Sequence, residues 1–149
     1  MAKLGVVKGR TEETFAPNAF ITRAEFAAIA ARFDEHKAAK LASFTDIYGR
    51  WAVSEISLAY ENGWIKGYND GTFRPNRNTT RAEAMALINR VLNRAPEKPS
   101  DLLNNMNKWT DNLDTTKWYY LDVQEATNSH DYTRKTNNYE MWKKMLADP

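Results

Sequence analysis

The sequence predicts a mainly α-helical protein built from a repeated helix–short hairpin–helix unit, and three observations carry that reading. Residues 5–33 align without a gap onto residues 63–91 at a constant offset of 58, with Gly5/Gly63, Lys8/Lys66, Gly9/Gly67, Phe15/Phe73 and Pro17/Pro75 among the matched pairs. Such self-similarity marks two copies of one structural unit. Both copies contain Thr-Arg-Ala-Glu, at Thr22–Glu25 and Thr80–Glu83. Thr or Ser followed three residues later by Glu is the capping box, in which each side chain satisfies a backbone amide at a helix start. Between the helices, Asn69-Asp70-Gly71 is a strong hairpin signal, since Gly and Asn accept the positive φ that tight turns need.

Each element of the complete copy follows in order. Over residues 51–62, Ala52, Ile56, Ala59 and Tyr60 recur at helical spacing, and Gly63 ends that front helix. Trp64-Ile65-Lys66 reads as a short extended piece leading into the Asn69-Asp70-Gly71 turn, after which Phe73 and Pro75 approach the second helix. There Ala84, Leu87, Ile88 and Val91 fall at i, i+3, i+4 and i+7 behind the Thr80 cap; in the earlier copy the same face is Phe26, Ile29, Ala30 and Phe33 behind Thr22.

A second match joins residues 44–59 to 109–126: aromatic-Thr-Asp, a loop, then Trp51 or Trp118 with Ala59 or Ala126 eight residues later. The chain therefore divides into the back half of a first repeat (1–40), a complete repeat (41–95), a linker marked by Pro96 and Pro99 (96–108) and the front half of a degenerate third (109–149). Ser100 to Met106 suggests a turn or two of helix. Tyr139, Trp142, Met145 and Leu146 suggest a short closing helix.

Composition narrows the function classes. The 149 residues contain no Cys, which excludes disulfides and thiolate chemistry, and the 12% aromatic content excludes a disordered chain. No run approaches the roughly 18 apolar residues of a membrane span, and MAKLGVVKGR is too short and interrupted for a signal peptide. The net charge of +2 is uneven: residues 1–95 hold 14 Lys/Arg against 10 Asp/Glu, and residues 96–149 hold 7 against 9. That surplus is far below a nucleic-acid binder's footprint, but it suits a local anion site.

An enzyme is not expected, nor a cofactor or metal. His36 and His130, the only histidines, sit in linker-like contexts, and Asp46 and Asp111 read as turn caps at equivalent repeat positions. Asn69-Asp70-Gly71 lacks the alternating ligands and closing Glu of a calcium loop, and no phosphate-cradling glycine loop or nucleophile motif occurs. The arginine of each Thr-Arg-Ala-Glu block is different. Thr and Glu are explained by capping, whereas Arg23 and Arg81 place positive charge at the positive end of a helix dipole. With free helix-start amides, either arginine makes a site for a carboxylate or phosphate; the plainer reading is a surface arginine paired with a neighbouring Asp. Lys8 and Lys66 are secondary candidates beside a solvated-lysine reading. Trp51, Trp64 and Trp118 could stack on sugar rings, but the matched helix-start positions of Trp51 and Trp118 favour core packing.

The order Phe44-Thr45-Asp46…Trp51…Gly63…Gly67-Tyr68-Asn69-Asp70-Gly71-Thr72-Phe73-Arg74-Pro75…Thr80-Arg81-Ala82-Glu83 resembles the S-layer homology (SLH) domain. The resemblance implies a pseudo-threefold, three-pronged helical assembly in an exported bacterial protein, whose signal would lie outside this segment. It implies non-catalytic anchoring at the cell wall, with inter-repeat grooves holding a secondary wall polysaccharide, often pyruvylated. Carried over, the ligand's carboxylate falls on Arg81 and Arg23, with Gly67 and Gly9 allowing close backbone approach. Lys66, Lys8 and Trp64 flank that site. The first copy departs from the pattern with Glu12-Glu13 in place of Asp70-Gly71, and the third lacks the arginine block. A helical protein–protein scaffold and recognition of polyamine-modified peptidoglycan are the alternatives, and the incomplete repeats leave faces suited to self-association.

Overall fold

The computed structural model describes residues 16–34 and 36–147, so Lys8 and Gly9 lie outside the described residues. It contains four α-helices, α1 (Arg23–Ala31), α2 (Val53–Glu61), α3 (Arg81–Val91) and α4 (Tyr120–Thr127), followed by strands β1 (His130–Arg134) and β2 (Glu140–Met145). They form two compact units, residues 1–80 and 81–149.

In the first unit α1 packs on α2. The capping box forms as the sequence predicts. The Glu25 amide donates to Thr22 Oγ1 at 3.2 Å, and the Thr22 amide donates to Glu25 Oε2 at 2.8 Å. The buried face of α1 is its alanines (Ala24, Ala27, Ala28, Ala30 and Ala31), not the Phe26–Ile29–Phe33 side, and Phe33 is exposed. Methyl-sized side chains let the α2 face bearing Ile56 and Ala59 come close, whereas phenyl rings there would hold the helices apart. Gly63, at φ +70°, closes α2 with paired bonds from the Gly63 amide to Tyr60 O and the Trp64 amide to Ala59 O, the Schellman arrangement.

The expected turn follows without a strand ladder. The Tyr68 amide donates to Thr72 O, the Gly71 amide donates to Tyr68 O, and Gly71 takes φ +79°. Phe44, Ile47, Ile65 and Phe73 complete this core, with the Phe44 ring edge-on to Tyr60 at 4.9 Å and tilted over Phe73 at 5.6 Å.

In the second unit α3 packs on α4. Here the tail differs from expectation: Trp142 and Met145 lie in an antiparallel hairpin, not a closing helix. Glu140 and Trp142 point inward while Met141 and Lys143 point out, a period of two that a helix cannot provide. The hairpin turn repeats that of the first unit. The Lys135 amide donates to Tyr139 O, the Asn138 amide donates to Lys135 O, and Asn138 takes φ +71° where the other copy has Gly71.

Only one short turn of 3₁₀ helix, Pro99–Asp101, follows α3. This segment, read as the start of a linker, is held against the hairpin: Pro96 is buried and bridges to Glu140, and Lys135 Nζ reaches Asp101 Oδ2 at 2.5 Å and Glu97 Oε2 at 2.9 Å.

Candidate functional site

The start of α1 is docked rather than open. Its first two amides donate to the chain leaving the hairpin turn, Arg23 to Arg77 O at 2.9 Å and Ala24 to Pro75 O at 3.0 Å. The next two donate to Thr22, one to its hydroxyl and one to its carbonyl. No free helix-start amides remain there for an anion, which corrects the sequence expectation for this copy. Arg23 itself is half-buried. Its Nε donates to Phe73 O and its Nη2 to Lys66 O, both at 2.9 Å, and its guanidinium lies over the rings of Tyr68 and Phe73. It thus clamps the first copy's back helix onto the second copy's hairpin turn through two backbone carbonyls.

Asp46 fixes the far side of that turn, as a cap would. Its two carboxylate oxygens accept from the Phe73 and Arg74 amides at 2.8 Å each, holding Arg74 at φ +57°. Asp70 accepts from the Thr72 hydroxyl, the Arg74 guanidinium and the Thr72 amide, which together bring its carboxyl down to about 2. Gly67 serves packing: a Cβ there would run into the Phe44 ring. The Lys66 side chain is exposed and Trp64 is half-buried.

Arg81 stands differently from its counterpart. It is exposed at the first position of α3, directly after Thr80, and its side chain makes no hydrogen bond or ion pair with another described residue. Glu83 lies in the same first turn. Trp51 and Trp118, expected in the core, are 63% and 60% exposed. Each precedes its helix by two residues and sits on the turn, outside the inward face set by Ala52 and Ile56 or by Tyr120 and Gln124.

The sequence reading missed a buried ion network in the second unit. Arg94 Nε donates to Glu140 Oε1 at 2.6 Å and its Nη2 to Glu125 Oε1 at 2.9 Å, while its guanidinium lies over Tyr132. His130, far from a linker-like context, is buried and stacked on Trp142 at 3.9 Å. Its Nδ1 donates to Asn128 O at 2.7 Å, and its Nε2 faces Glu125 Oε2 at 3.3 Å and Glu140 Oε2 at 3.6 Å.

Burial opposes charge on His130, but the Glu125 hydrogen bond and the Asn128 carbonyl outweigh it and raise its pKa. Burial and the nearby Glu125 charge raise Glu140, which Arg94 only partly offsets. Glu125 is pushed up by burial yet ends below its ordinary value, through His130, Trp142 and Arg94. Glu125, His130 and Glu140 offer metal-ligand atoms within 4.8 Å of one another, but Arg94 already bridges both carboxylates and supplies the positive charge a cation would bring. Beside this network, Met85 and Ile88 of α3 with Leu92, Ala126 and Leu146 line a groove of about 530 Å³.

The S-layer homology domain profile matches residues 1–27 and 43–85, the segments that hold both Thr-Arg-Ala-Glu blocks and the intervening turn. The chain belongs to the S-layer homology domain family. A cellulosome-anchoring protein of Acetivibrio thermocellus is 39% identical over 140 residues, covering 89% of this chain and 30% of that protein. Cell surface glycoprotein 1 of the same organism is 34% identical over 156 residues, covering 97% of this chain and 6% of its own length. An endoglucanase of a Bacillus strain is 36% identical over 87 residues, 58% of this chain and 9% of the enzyme. The chain thus spans less than a third of these relatives, and the first two matches extend into the tail that the profile leaves uncovered. Among the described residues no helix is long and apolar enough to cross a membrane. The two motif arginines thus have separate situations: Arg23 donates to carbonyls of the turn, and the Arg81 side chain has no partner among the described residues.

Proposed function

We propose that this SLH chain is a non-catalytic anchoring module that attaches its protein to the bacterial cell surface by charge-assisted capture of an acidic, pyruvylated wall polysaccharide. The observation that carries the reading is Arg81, an exposed guanidinium at a helix start with no partner among the described residues. A helix start and a guanidinium both favour a carboxylate. Capture in grooves between repeats about a pseudo-threefold axis is part of this proposal, with Lys66 and Trp64 as further candidate contacts on the first unit. Arg23 contributes mainly by holding the hairpin turn in place. The names of the relatives, a cellulosome-anchoring protein and a cell surface glycoprotein, support surface attachment.

Co-sedimentation of the full chain with purified wall sacculi tests this. Arg81→Ala removes a charge-assisted contact worth about 1.5–3 kcal/mol, so affinity falls by roughly tenfold to a hundredfold while the melting curve stays put. A folded Arg81→Ala variant that sediments as well as the parent refutes the assignment. Equal binding to sacculi stripped of pyruvate ketals refutes the choice of polymer.

A further inference from the structure

Two tryptophans stand open on matching turns, one in each unit. The chain before α2 reads Ile47-Tyr48-Gly49-Arg50-Trp51, and the chain before α4 reads Asp114-Thr115-Thr116-Lys117-Trp118. Both fold in the same way. The Arg50 amide donates to Ile47 O and the Val53 amide to Arg50 O, while the Lys117 amide donates to Asp114 O and the Tyr120 amide to Lys117 O. The next residues, Ala52 and Tyr119, are the N-caps of α2 and α4, and their carbonyls accept from the Ile56 and Val123 amides. Each indole is therefore carried on backbone that is hydrogen-bonded on both sides of it. The first three residues of the two turns have nothing in common, yet both end in a basic residue and then Trp.

Packing gives no reason for an indole there. The side chains turned inward beside them are Ala52 and Ile56 in one unit and Tyr120 and Gln124 in the other, while Trp51 and Trp118 stay 63% and 60% exposed. Trp is highly buried on average, and leaving its large ring in water forgoes much apolar burial. A single exposed ring is ordinary on a protein surface. The same exposed ring on the same turn in both units is a repeated property.

The polar end of each ring is open as well. Trp109 Nε1 donates to Thr127 Oγ1 and Trp142 Nε1 to Glu125 Oε2, both at 3.0 Å. The N–H groups of Trp51 and Trp118 have no hydrogen-bond partner among the described residues. The one ring contact is that of Trp118, which stands at 86° to the Tyr119 ring at 5.4 Å. A flat apolar face with one donor on its rim matches a pyranose ring, which presents a face of C–H groups and hydroxyl oxygens around its edge.

We propose that Trp51 and Trp118 are stacking platforms, each receiving one pyranose ring of the wall polysaccharide, with the indole N–H donating to a sugar oxygen. This rests on the wall-polymer reading above and adds contacts that do not depend on charge, separate from Arg81. Several modest contacts on one polymer raise the overall affinity through effective concentration.

Two measurements test it. In the first, the indole N–H resonances of the full chain are followed by NMR during titration with soluble polysaccharide released from purified sacculi. Saturable shifts at Trp51 and Trp118, larger than those at the already bonded Trp109 and Trp142, support the platforms. If other resonances saturate while those two stay put, the platforms are overturned and the wall-polymer reading stands. If no resonance moves and the chain ignores sacculi, both fall.

In the second, Trp51→Ala, Trp118→Ala and the corresponding Phe variants are compared with Arg81→Ala in sacculus co-sedimentation, each checked for an unchanged melting curve. Each Ala variant loses about threefold to tenfold in affinity, and each Phe variant loses less, since Phe keeps an aromatic face without the N–H. Parent-like sedimentation of both Ala variants beside a weakened Arg81→Ala overturns the platforms alone. Loss in one Ala variant only keeps that platform and overturns the other. If the parent still binds sacculi stripped of the polysaccharide and the Ala variants lose affinity there too, the polysaccharide is not the occupant and the proposal falls. The NMR titration uses the unaltered chain, so it decides the matter for any variant that fails to fold.

Discussion

Replacing Arg94 by Met exposes the main vulnerability of the second unit. The substitution keeps an unbranched, largely apolar side chain against Tyr132 but removes two charge-assisted bonds, of 2.6 Å to Glu140 and 2.9 Å to Glu125. It leaves two carboxylates that are 0% and 3% exposed facing one another, with His130 and, 3.7 Å from Glu140, Arg134 as the basic groups still within reach. Breaking a buried ion network from one side costs about 3–5 kcal/mol, because the surviving charges stay desolvated. Arg94 retains 31% side-chain exposure, so water reaches the gap and the lower end, about 3 kcal/mol, is expected. With a urea dependence of about 1.5–2 kcal/mol per molar, the midpoint falls by roughly 1.5–2 M, read by far-ultraviolet circular dichroism. Adding Glu140→Gln removes one stranded charge, so the double variant recovers part of the loss. A single-variant cost below about 1 kcal/mol, or a double variant whose cost is the plain sum of the singles, would refute this account of the network.

Three further outcomes follow from the same structure. Thr22→Ala removes the side-chain half of the α1 capping box and lowers stability by about 1 kcal/mol in urea titration, with Ser restoring most of it. Gly67→Ala drives a methyl into the Phe44 ring and costs roughly 1–3 kcal/mol by overpacking; Phe44→Leu in that background relieves part of the cost, and full additivity of the two changes would contradict the clash. With pH, the raised pKa of His130 gives stability that is complete below its ordinary value of 6.5 and fades as pH climbs through its higher folded value. The raised Glu140 acts in the same direction above its ordinary 4.5. Urea midpoints therefore drop from about pH 6 to pH 9. His130→Gln flattens that drop, and a midpoint that rises over the range rules it out.

What was legible in the sequence was local. The capping box at Thr22 and Glu25, the stop at Gly63 and the turn at Asn69-Asp70-Gly71 depend on residues within a few positions of one another, so one stretch of chain suffices to reveal them. The inward face of α1 was not legible, because which side of a helix faces its partner is decided by how closely that partner can approach. The five buried alanines won over the larger Phe26 and Phe33. The hairpin tail was misread because Tyr139, Trp142 and Met145 happen to fall at helical spacing.

A signal for the hairpin was nonetheless present. Continuing the offset of 67 between Trp51 and Trp118 places Asn138 on Gly71 and Glu140 on Phe73, the residues of a turn and of the core position after it. The ion network had no such signal, since Arg94 and Glu140 are 46 positions apart and meet only once the hairpin folds. At the site, the repeated arginine stood out in the sequence as a feature that capping does not explain. Its two copies differ because the chain around the Pro75 and Arg77 carbonyls accepts the amides of one helix start, α1.

The boundary at Thr80/Arg81 falls in the middle of the complete sequence repeat. Each compact unit joins the back helix of one repeat, α1 or α3, to the front helix and turn of the next, α2 or α4. The unit of inheritance and the unit of folding are therefore out of phase, like courses of brick laid with staggered joints. A duplication or exchange that moves a whole repeat breaks two folded units at once, and the incoming copy must fit a stranger's helix on both sides. The alanine-lined face of α1 eases that fitting in the first unit, since small side chains make few demands on a new neighbour. The stagger also binds successive copies together without a dedicated linker, because every joint in the sequence is bridged by a packed core.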